Sequence, residues 1–304
     1  MQSKALGVKR RLMVCAPTNK AVSVLVTRYL GSIRHTKHDP FNVVMIGDQD
    51  KLLVEEKGSA EHDDSLPAFK VRNVFVYTWI HGMVEDCKYI RRKLNGGALD
   101  VGGLLTRTHR LCSRLMNSLP RTIVDSSLTS IIRDVRKTIE TVATDDALHL
   151  SVCQRWGDAL DSLASAVLTL DSGSVVRELL ESADVVFCTL ASAGSSVVKS
   201  TKSIDDLIVD EAAAATEPEL YIPFHLDPRR LLVVGDPMQL PATVLSRTAD
   251  LMGLSKSLHE RLMYDLSWGH IMLDIQYRMR PEICRFPSAR FYRDKIINGE
   301  NVIR

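Results

Sequence analysis

The sequence lacks the cysteine spacing of a zinc site or a disulfide framework. Its six cysteines are scattered, and no two of them form a CxxC pair. No apolar run approaches the length of a membrane span, and the beginning, MQSKALGVKRRLMVC, has too short an apolar run for a signal peptide. Lys plus Arg total 39 and Asp plus Glu 37, so the net charge of +2 predicts no partner by itself. These absences predict a cytoplasmic or nuclear protein with no membrane partner.

The composition is that of an ordinary globular protein. Of the 304 residues, 45% are hydrophobic and 25% are charged, which argues against wholesale disorder. The length allows about two domains, or one α/β domain with a large insertion. The sequence contains no internal repeat and no low-complexity tract.

Short apolar runs without alternation predict the buried strands of a parallel sheet. A helical pattern at 19–33 separates the first two runs, which predicts a right-handed βαβ core with ligands at the carboxyl ends of the strands. The runs are RLMVCAP (11–17), FNVVMIGD (41–48), ADVVFCTL (183–190), DDLIVDEA (205–212), RRLLVVGDP (229–237) and a sixth, IMLDIQYRM (271–279).

The strand pattern disappears between residues 49 and 181. KGSAEHDDSLP (57–67) predicts a surface loop, VRNVFVYTWI (71–80) is ambiguous, and most of the rest is helical. Residues 88–137 hold eleven basic residues against three acids, whereas 140–184 hold nine acids against two basic residues. The basic half is either a nucleic-acid surface or one of two antiparallel helices whose opposite charges face each other or water. We favour the second interpretation because aromatic residues are not interleaved with the basic ones.

The stretch LIVDEAAAATEPEL (207–220) runs from an apolar strand into two adjacent acids. This pattern is typical of a Walker B site, in which Asp210 would hold Mg²⁺ through water and Glu211 would polarise an attacking water molecule. Because adjacent strand residues point to opposite faces, a bend after the strand is required for both acids to reach one site. The alternative is a helix whose first turn carries acids that complement its dipole.

LLVVGDPMQLPATV (231–244) is a second strand that ends in polar residues. Gly235 permits a tight turn, and the amide of Gln239 can both donate and accept hydrogen bonds. Such an amide beside a γ-phosphate can detect whether the phosphate is present. We therefore expect Asp210, Glu211 and Gln239 to gather around one spot, although an ordinary strand–turn–helix connection is the alternative.

A third element is LDIQYRMRPEICRFPSARFY (273–292). Arg278 is suited to stabilising charge on a transferring phosphate, and Tyr277 offers a flat face for a base. The alternative for Arg278 is a simple carboxylate partner. Pro281 and Pro287 predict a change of chain direction instead of a long helix.

The ordered set of these motifs resembles the superfamily 1 helicases, in the branch of the nonsense-mediated-decay helicase and senataxin. The resemblance covers about residues 1–47 and 181–304, and residues 49–180 correspond in place to that family's helical insertion. The motifs are APTNKAV (16–22), ADVVFCTLASAG (183–194), VDEAAAATEPE (209–219), GDPMQLPATV (235–244) and QYRMRPEICRFPS (276–288).

The resemblance implies ATP and Mg²⁺ as cofactors, and movement along single-stranded RNA or DNA in the 5′ to 3′ direction. It implies that Asp210 is the magnesium acid, Glu211 the base for water and Gln239 the γ-phosphate sensor. Tyr277 would stack on adenine, and Arg278 would be an arginine finger.

Two turns are implied to contact the nucleic-acid backbone, through Pro17, Thr18 and Asn19 in one and Thr189 and Ser192 in the other. Short hydroxyls, an amide and free backbone N–H groups suit backbone contacts, which need donors but no base selection. The alternative for both turns is capping of the next helix, and the two roles can coexist.

The chain departs from the family pattern in two places. Ala214 occupies the position of a glutamine, and an alanine cannot make the hydrogen bonds of an amide. None of the sixteen glycines begins a Walker A loop, GxxxxGK[ST], and the nearest match, GALDVGGL (97–104), has Gly103 and Leu104 where Lys and Ser/Thr are required. A sheet without its phosphate-loop strand predicts exposed strand edges or marginal stability.

We therefore expect an α/β protein with a RecA-like parallel sheet, flanking helices and a mainly helical insertion. The expected segments are 1–48 (start of the core), 49–181 (insertion), 182–275 (remainder of the core) and 276–304 (a lead into a second RecA-like domain that is absent). We expect a monomeric partial helicase that does not hydrolyse ATP alone. The alternative is a catalytically dead remnant that binds nucleic acid or another protein.

Overall fold

The computed structural model describes residues 10–33, 42–48, 74–96, 100–119, 123–144 and 150–303, and they fold as two compact units. The first unit contains the described residues up to Asp210 together with Pro218–Val233. The second contains Glu211–Glu217 and the described residues from Val234 onward. The loop expected at 57–67 lies outside the described residues.

Five parallel strands form the sheet of the first unit, in the order β2-β3-β1-β4-β5. Cys15 of the central strand is aligned with Cys188 on one side and with Val209 on the other. Five of the predicted strands and the α/β class with a RecA-like parallel sheet are thus confirmed. The strands are β1 (Leu12–Ala16), β2 (Val43–Ile46), β3 (Val185–Thr189), β4 (Asp206–Val209) and β5 (Arg230–Val233).

The sixth predicted strand was wrong as a member of this sheet. In the run 271–279, β6 (Ile275–Gln276) pairs only with β7 (Ile297–Asn298), in a two-stranded parallel sheet of the second unit. Ile271 and Leu273 are 91% and 88% exposed, so the run does not contribute the buried faces of a central strand.

Twelve α-helices accompany these strands in the part of the chain that the structure describes. Among the described residues, no single helix is apolar and long enough to cross a membrane. One pair of helices bent by 96°, Ser151–Leu168 with Ser172–Ser182, has the length and composition of a membrane span, but by these two criteria alone. The helices are α1 (Asn19–Ile33), α2 (Trp79–Leu94), α3 (Val101–Ser118), α4 (Ser126–Thr144), α5 (Leu150–Leu168), α6 (Ser172–Ser182), α7 (Leu190–Ala193), α8 (Ser196–Lys199), α9 (Glu217–Tyr221), α10 (Arg247–Leu251), α11 (Leu258–Glu260) and α12 (Pro281–Phe291).

The helices α2–α6 follow one another between β2 and β3 in the part of the chain that the structure describes. Helix α5 packs against both α2 and α4. Arg91 of α2 reaches two acids of α5, with N–O distances of 3.0 Å to Asp158 and 3.4 Å to Asp161. At this contact one basic residue of 88–137 faces two acids of 140–184, and the interpretation of the remaining charges stays a prediction.

The ambiguous run at 71–80 is neither one strand nor one helix in its described part. Phe75 makes a parallel bridge to Met45 of β2, Val76–Thr78 is a 3₁₀ turn, and α2 follows at Trp79. Phe75 is completely buried in the cluster that also contains Met45. The outer edge of β2 is therefore covered.

β5 forms the opposite edge of the sheet, and no further strand pairs with it among the described residues. Leu231 and Leu232 of β5 are 38% and 55% exposed, although both are apolar residues of a strand. The prediction that this run is a buried strand was therefore wrong in its burial.

The proline pattern of the second unit was wrongly interpreted as a change of chain direction. Pro281 is the first residue of α12, where its missing N–H costs nothing, and Pro287 lies inside the same helix. An 11-residue helix therefore spans both prolines.

Candidate functional site

The chain bends directly after β4. The backbone N–H of Asp210 donates to the carbonyl of Cys15 at 2.9 Å, so Asp210 still follows the direction of the sheet. Glu211 adopts φ 53° and ψ 33°, in the left-handed region that non-glycine residues enter at a cost of roughly 1–2 kcal/mol. Strand alternation therefore ends at Glu211, where the sequence required a bend.

The alanines after this bend form a tight 3₁₀ turn over Ala212–Ala214. Ala212 donates its backbone N–H to the carbonyl of Val234, and Ala214 donates to that of Glu211, both at 2.9 Å. Ala212 and Ala213 are buried, in keeping with a packing role for small side chains. Ala214, which stands where the family has glutamine, is only half-buried.

Gly235 is required for close packing against this turn. A Cβ atom at Gly235 would lie 2.9 Å from the backbone nitrogen of Ala213 and 3.0 Å from Nδ1 of His259. The φ of Gly235 is not positive, so close approach and not turn geometry explains the glycine. Burial lowers the pKa of His259, which keeps its imidazole neutral at pH 7.

Asp236 holds the amide of Gln239 in place. Its Oδ2 accepts hydrogen bonds from Nε2 of Gln239 at 2.9 Å and from the hydroxyl of Tyr292 at 2.6 Å. Its Oδ1 accepts from the backbone N–H of Met238 at 3.0 Å. Burial, followed by the hydrogen bond to Asp236, raises the pKa of Tyr292 to about 12, so the phenol remains a donor at neutral pH.

Glu211 and Gln239 line one cavity of about 400 Å³ in the second unit, together with Asp236 and Ala214. Carboxylate and amide oxygens suit a hydrated Mg²⁺ ion. In the described residues, no group of three His, Cys, Asp or Glu side chains is arranged to hold a metal ion directly. No Lys or Arg lines this cavity, so its residues fit a metal and its water but do not by themselves fit a triphosphate.

Tyr277 and Arg278 lie in the turn after β6 and are not among the residues that line this cavity. Gln276 shapes the turn, because its Oε1 accepts from the backbone N–H groups of Arg278 at 2.9 Å and Met279 at 2.7 Å. Tyr277 is 62% exposed, and its ring lies so close to Gly299 that a Cβ there would be 2.3 Å from it. Both predicted side chains are accessible from solvent.

The two predicted nucleic-acid turns leave neighbouring strands side by side, since Ala16 is aligned with Thr189. Thr18 is exposed, and its Oγ1 accepts from the backbone N–H of Ala21 at 3.2 Å. Thr189 is buried; its Oγ1 accepts from the N–H of Ser192 at 3.0 Å and donates to the Oγ of Ser192 at 2.8 Å. Helix capping is thus present in both turns.

The three predicted contact residues of the first turn differ in their exposure to solvent. Pro17 and Asn19 are half-buried, so Thr18 is the most exposed of the three predicted contacts.

Sequence reasoning missed three residues that organise these sites: Asp236, Gln276 and Tyr292. Asp236 stands in the Gly-Asp-Pro turn and Gln276 begins the QYRM motif, so a search for polar residues inside each motif could have found them. Tyr292 carried no such signal, because it meets Asp236 from 56 residues away.

Comparisons with known proteins match this chain to AAA domains and to helicases. A family model described as an AAA domain matches residues 2–247, and a second with the same description matches residues 254–304. The probable helicase MAGATAMA 3 of Arabidopsis thaliana is 39% identical over 173 residues, covering 57% of this chain and 21% of that protein.

Two further relatives extend the comparison. Helicase sen1 of Schizosaccharomyces pombe is 28% identical over 316 residues, covering 99% of this chain and 17% of that protein. The regulator of nonsense transcripts 1 homolog of Drosophila melanogaster is 41% identical over 123 residues, covering 40% of this chain and 10% of that protein. The chain thus spans about a fifth or less of the length of these relatives. By its AAA-domain match and its relatives, the chain belongs to the superfamily 1 helicases of the nonsense-mediated-decay and senataxin branch.

Proposed function

We propose that this chain forms part of the ATPase core of a helicase that moves 5′ to 3′ along single-stranded RNA or DNA in the cytoplasm or nucleus, using ATP and Mg²⁺. The observation that carries the proposal is the left-handed bend at Glu211, which brings its carboxylate to the cavity that Gln239 also lines. We also propose the segment boundaries 1–48, 49–181, 182–275 and 276–304 for the core and its insertion.

Each polar side chain has a distinct task in this proposal. Glu211 is exposed and would accept a proton from a water molecule, and Asp210 would hold Mg²⁺ through water. Asp236 orients the amide of Gln239, which then reports the presence of a γ-phosphate through the turn that carries it. Tyr277 would stack on the adenine of ATP, and Arg278 would stabilise negative charge on the transferring phosphoryl group.

On its own, we infer, this chain does not hydrolyse ATP. The cavity of Glu211 and Gln239 has no cationic lining residue, and the sequence contains no GxxxxGK[ST] loop to cradle phosphates. Hydrolysis therefore requires a phosphate loop that these 304 residues do not contain.

The first test asks whether the genomic DNA upstream of the Met1 codon encodes the missing phosphate loop. Unrelated sequence there would reject the proposal that this chain is part of a helicase gene with a missing segment. The second test measures ATP hydrolysis by the chain alone and by the chain extended with the encoded loop. In the extended protein Glu211→Gln is expected to lower hydrolysis about a hundredfold, the low end for loss of a general base.

Glu282→Gln serves as the matched control, because Glu282 is an exposed acid of α12 that does not line the cavity. Equal loss of activity in both variants would contradict the assignment of Glu211. Hydrolysis by the unextended chain would contradict the requirement for an added loop.

The cavity also favours a second candidate function, a nucleic-acid-binding module without catalysis. Ala214 presents a methyl group where the family has an amide, and no cationic side chain lines the cavity. This function predicts salt-sensitive binding to single strands without ATP hydrolysis, even with the added loop. Binding that is unaltered by uncharged substitutions at Thr18, Asn19 and Thr189 would count against it.

A further inference from the structure

A second and larger cavity lies within the first unit. It is a groove of about 670 Å³, in the size range of small-molecule sites, bounded by the Val76–Thr78 turn and by the beginnings of α6 and α8. Val175 and Val176 are buried and form part of its apolar floor. Nothing in the proposed function uses this groove.

The topology places the groove at the carboxyl ends of the strands. Phe75 pairs in parallel with Met45, so the Val76–Thr78 turn leaves the sheet in the same direction as β2. Helix α6 leads back into β3 through a two-residue link, so its first residues lie toward the carboxyl end of that strand. Helix α7 begins directly after Thr189 at the end of β3, and α8 follows α7 after two residues. The groove and the two predicted nucleic-acid turns thus lie at the same end of the sheet, the carboxyl ends of its strands.

An aromatic ring stands at the wall of the groove. Tyr77 is 47% exposed, and its ring contacts Phe75 edge-on, with centroids 5.6 Å apart and planes at 68°. Because Tyr77 is about half exposed, part of its ring is available as a stacking platform for a planar ligand.

The polar rim of the groove carries one cation and several hydroxyl groups. Arg177 is exposed at the rim, as are Ser172 and Ser200. Asp171 caps α6 by accepting from the backbone N–H of Ser174 at 2.8 Å. The hydrogen bonds of Ser174, with a smaller contribution from Arg177, hold the pKa of Asp171 below its usual value, so the rim also carries one anion.

We propose that this groove holds a nucleobase of the single strand that contacts the turns at Thr18 and Thr189. The ring of Tyr77 stacks on the base, the valine floor covers its edge, and Arg177 contacts the adjoining phosphate. An apolar floor, an open aromatic face and a rim of mixed charge fit a base with its sugar-phosphate better than they fit a free phosphate. The assignment rests on the nucleic-acid binding proposed above.

The experiment measures binding of fluorescein-labelled oligouridine to the full chain by anisotropy. Tyr77→Ala removes the ring on which the base stacks, so it is expected to weaken binding about tenfold. Tyr77→Phe keeps the ring and should stay within about twofold of the wild type. Arg177→Gln is expected to weaken binding and to lower the salt dependence by about one phosphate contact. An oligomer with abasic sites removes the stacking partner, so Tyr77→Ala should bind it as the wild type does.

Matched controls come from the same unit. Tyr221 is 45% exposed and packs edge-on against Phe224 at 5.2 Å, yet it does not line the groove, so Tyr221→Ala should bind normally. Arg155 is an exposed cation of α5 outside the groove, and Arg155→Gln serves in the same way. If Tyr77→Ala fails to fold, Tyr77→Leu keeps apolar bulk without the ring.

The outcomes separate the two proposals. Normal binding by Tyr77→Ala (or Tyr77→Leu), with binding by the wild type intact, would overturn the groove assignment and leave nucleic-acid binding standing. Equal weakening toward the abasic oligomer would also overturn it, because no base is then involved. A wild-type chain that binds no single strand would reject the nucleic-acid function itself.

Discussion

The two edge strands of the five-stranded sheet have similar sequences but opposite surroundings. The four residues of β2 (VVMI) are all buried, and Phe75 adds a parallel bridge to Met45 outside it. In β5 (RLLV) the first three residues are exposed, and no further strand pairs with it among the described residues. The two edge strands therefore differ in burial although both are mainly apolar.

The difference has consequences for both stability and association. An uncovered edge leaves backbone N–H and C=O groups unpaired and invites pairing with another strand. At β5 these groups lie beside apolar side chains, so the edge contributes little to the core and favours association. Substitutions on the two sides of the sheet should therefore have very different effects.

The largest effect is expected at the covered edge. Phe75→Ala removes a fully buried ring from the cluster around Met45 and should cost about 3–5 kcal/mol of unfolding free energy, measured by urea denaturation. Leu231→Ala on the exposed edge is the control and should change the free energy by less than about 1 kcal/mol. Similar losses at both positions would show that β5 is covered in solution.

A smaller loss is expected in the turn that follows β5. Gly235→Ala places a Cβ against the backbone of Ala212–Ala214, which cannot move as easily as a side chain, and should cost about 1–3 kcal/mol. Gly269→Ala is a matched control, because no atom lies within 4 Å of its Cβ position. Thermal denaturation of both variants measures the difference, and an unchanged Gly235→Ala would argue against the close packing.

Loss of a helix cap should have a still smaller effect, at the turn that follows β3. Thr189→Ala leaves the N–H of Ser192 without its buried acceptor and should cost about 1 kcal/mol, whereas Thr189→Ser should retain most of the stability. Thr18→Ala should cost less, because Thr18 is exposed and water can replace its hydroxyl. Equal costs at the two threonines would contradict the difference in burial.

The smallest effect on stability, with a clear effect on association, is expected at β5 itself. Leu232→Lys should change the unfolding free energy by no more than about 0.5 kcal/mol, and it should reduce concentration-dependent association measured by light scattering. Leu168→Lys on α5 is a matched control, since both leucines are 55% exposed. An equal reduction by both variants would attribute association to apolar surface in general and not to the strand edge.

The local pattern of the sequence was sufficient for much of the fold. Five continuous apolar runs predicted five buried parallel strands, because a strand covered on both faces needs no alternation. All five form the parallel sheet, but the predicted burial was wrong for β5. The same rule failed at 271–279, where an apolar run forms only the two-residue strand β6. The prediction that Pro287 changes the direction of the chain was also wrong, because this proline lies inside α12.

The local geometry around the candidate site was only partly predictable from the sequence. The need for a bend after Asp210 followed from strand alternation, and the left-handed conformation of Glu211 provides it. The hydrogen bonds of Asp236 with Gln239 and with Tyr292 were not predicted. The second could not be expected from local sequence, because Tyr292 comes from a distant part of the chain.

By itself, the sequence determined which segments form the five-stranded sheet, where polar residues follow these strands and which family motifs are present. These properties depend on neighbouring residues, whose spacing sets backbone conformation and the direction of side chains. Only the tertiary structure decided that β2 is covered while β5 is open, that Gly235 packs on the alanine turn and that Tyr77 faces a groove. Each of these depends on contacts between residues far apart in the chain, and similar local sequences can have different partners.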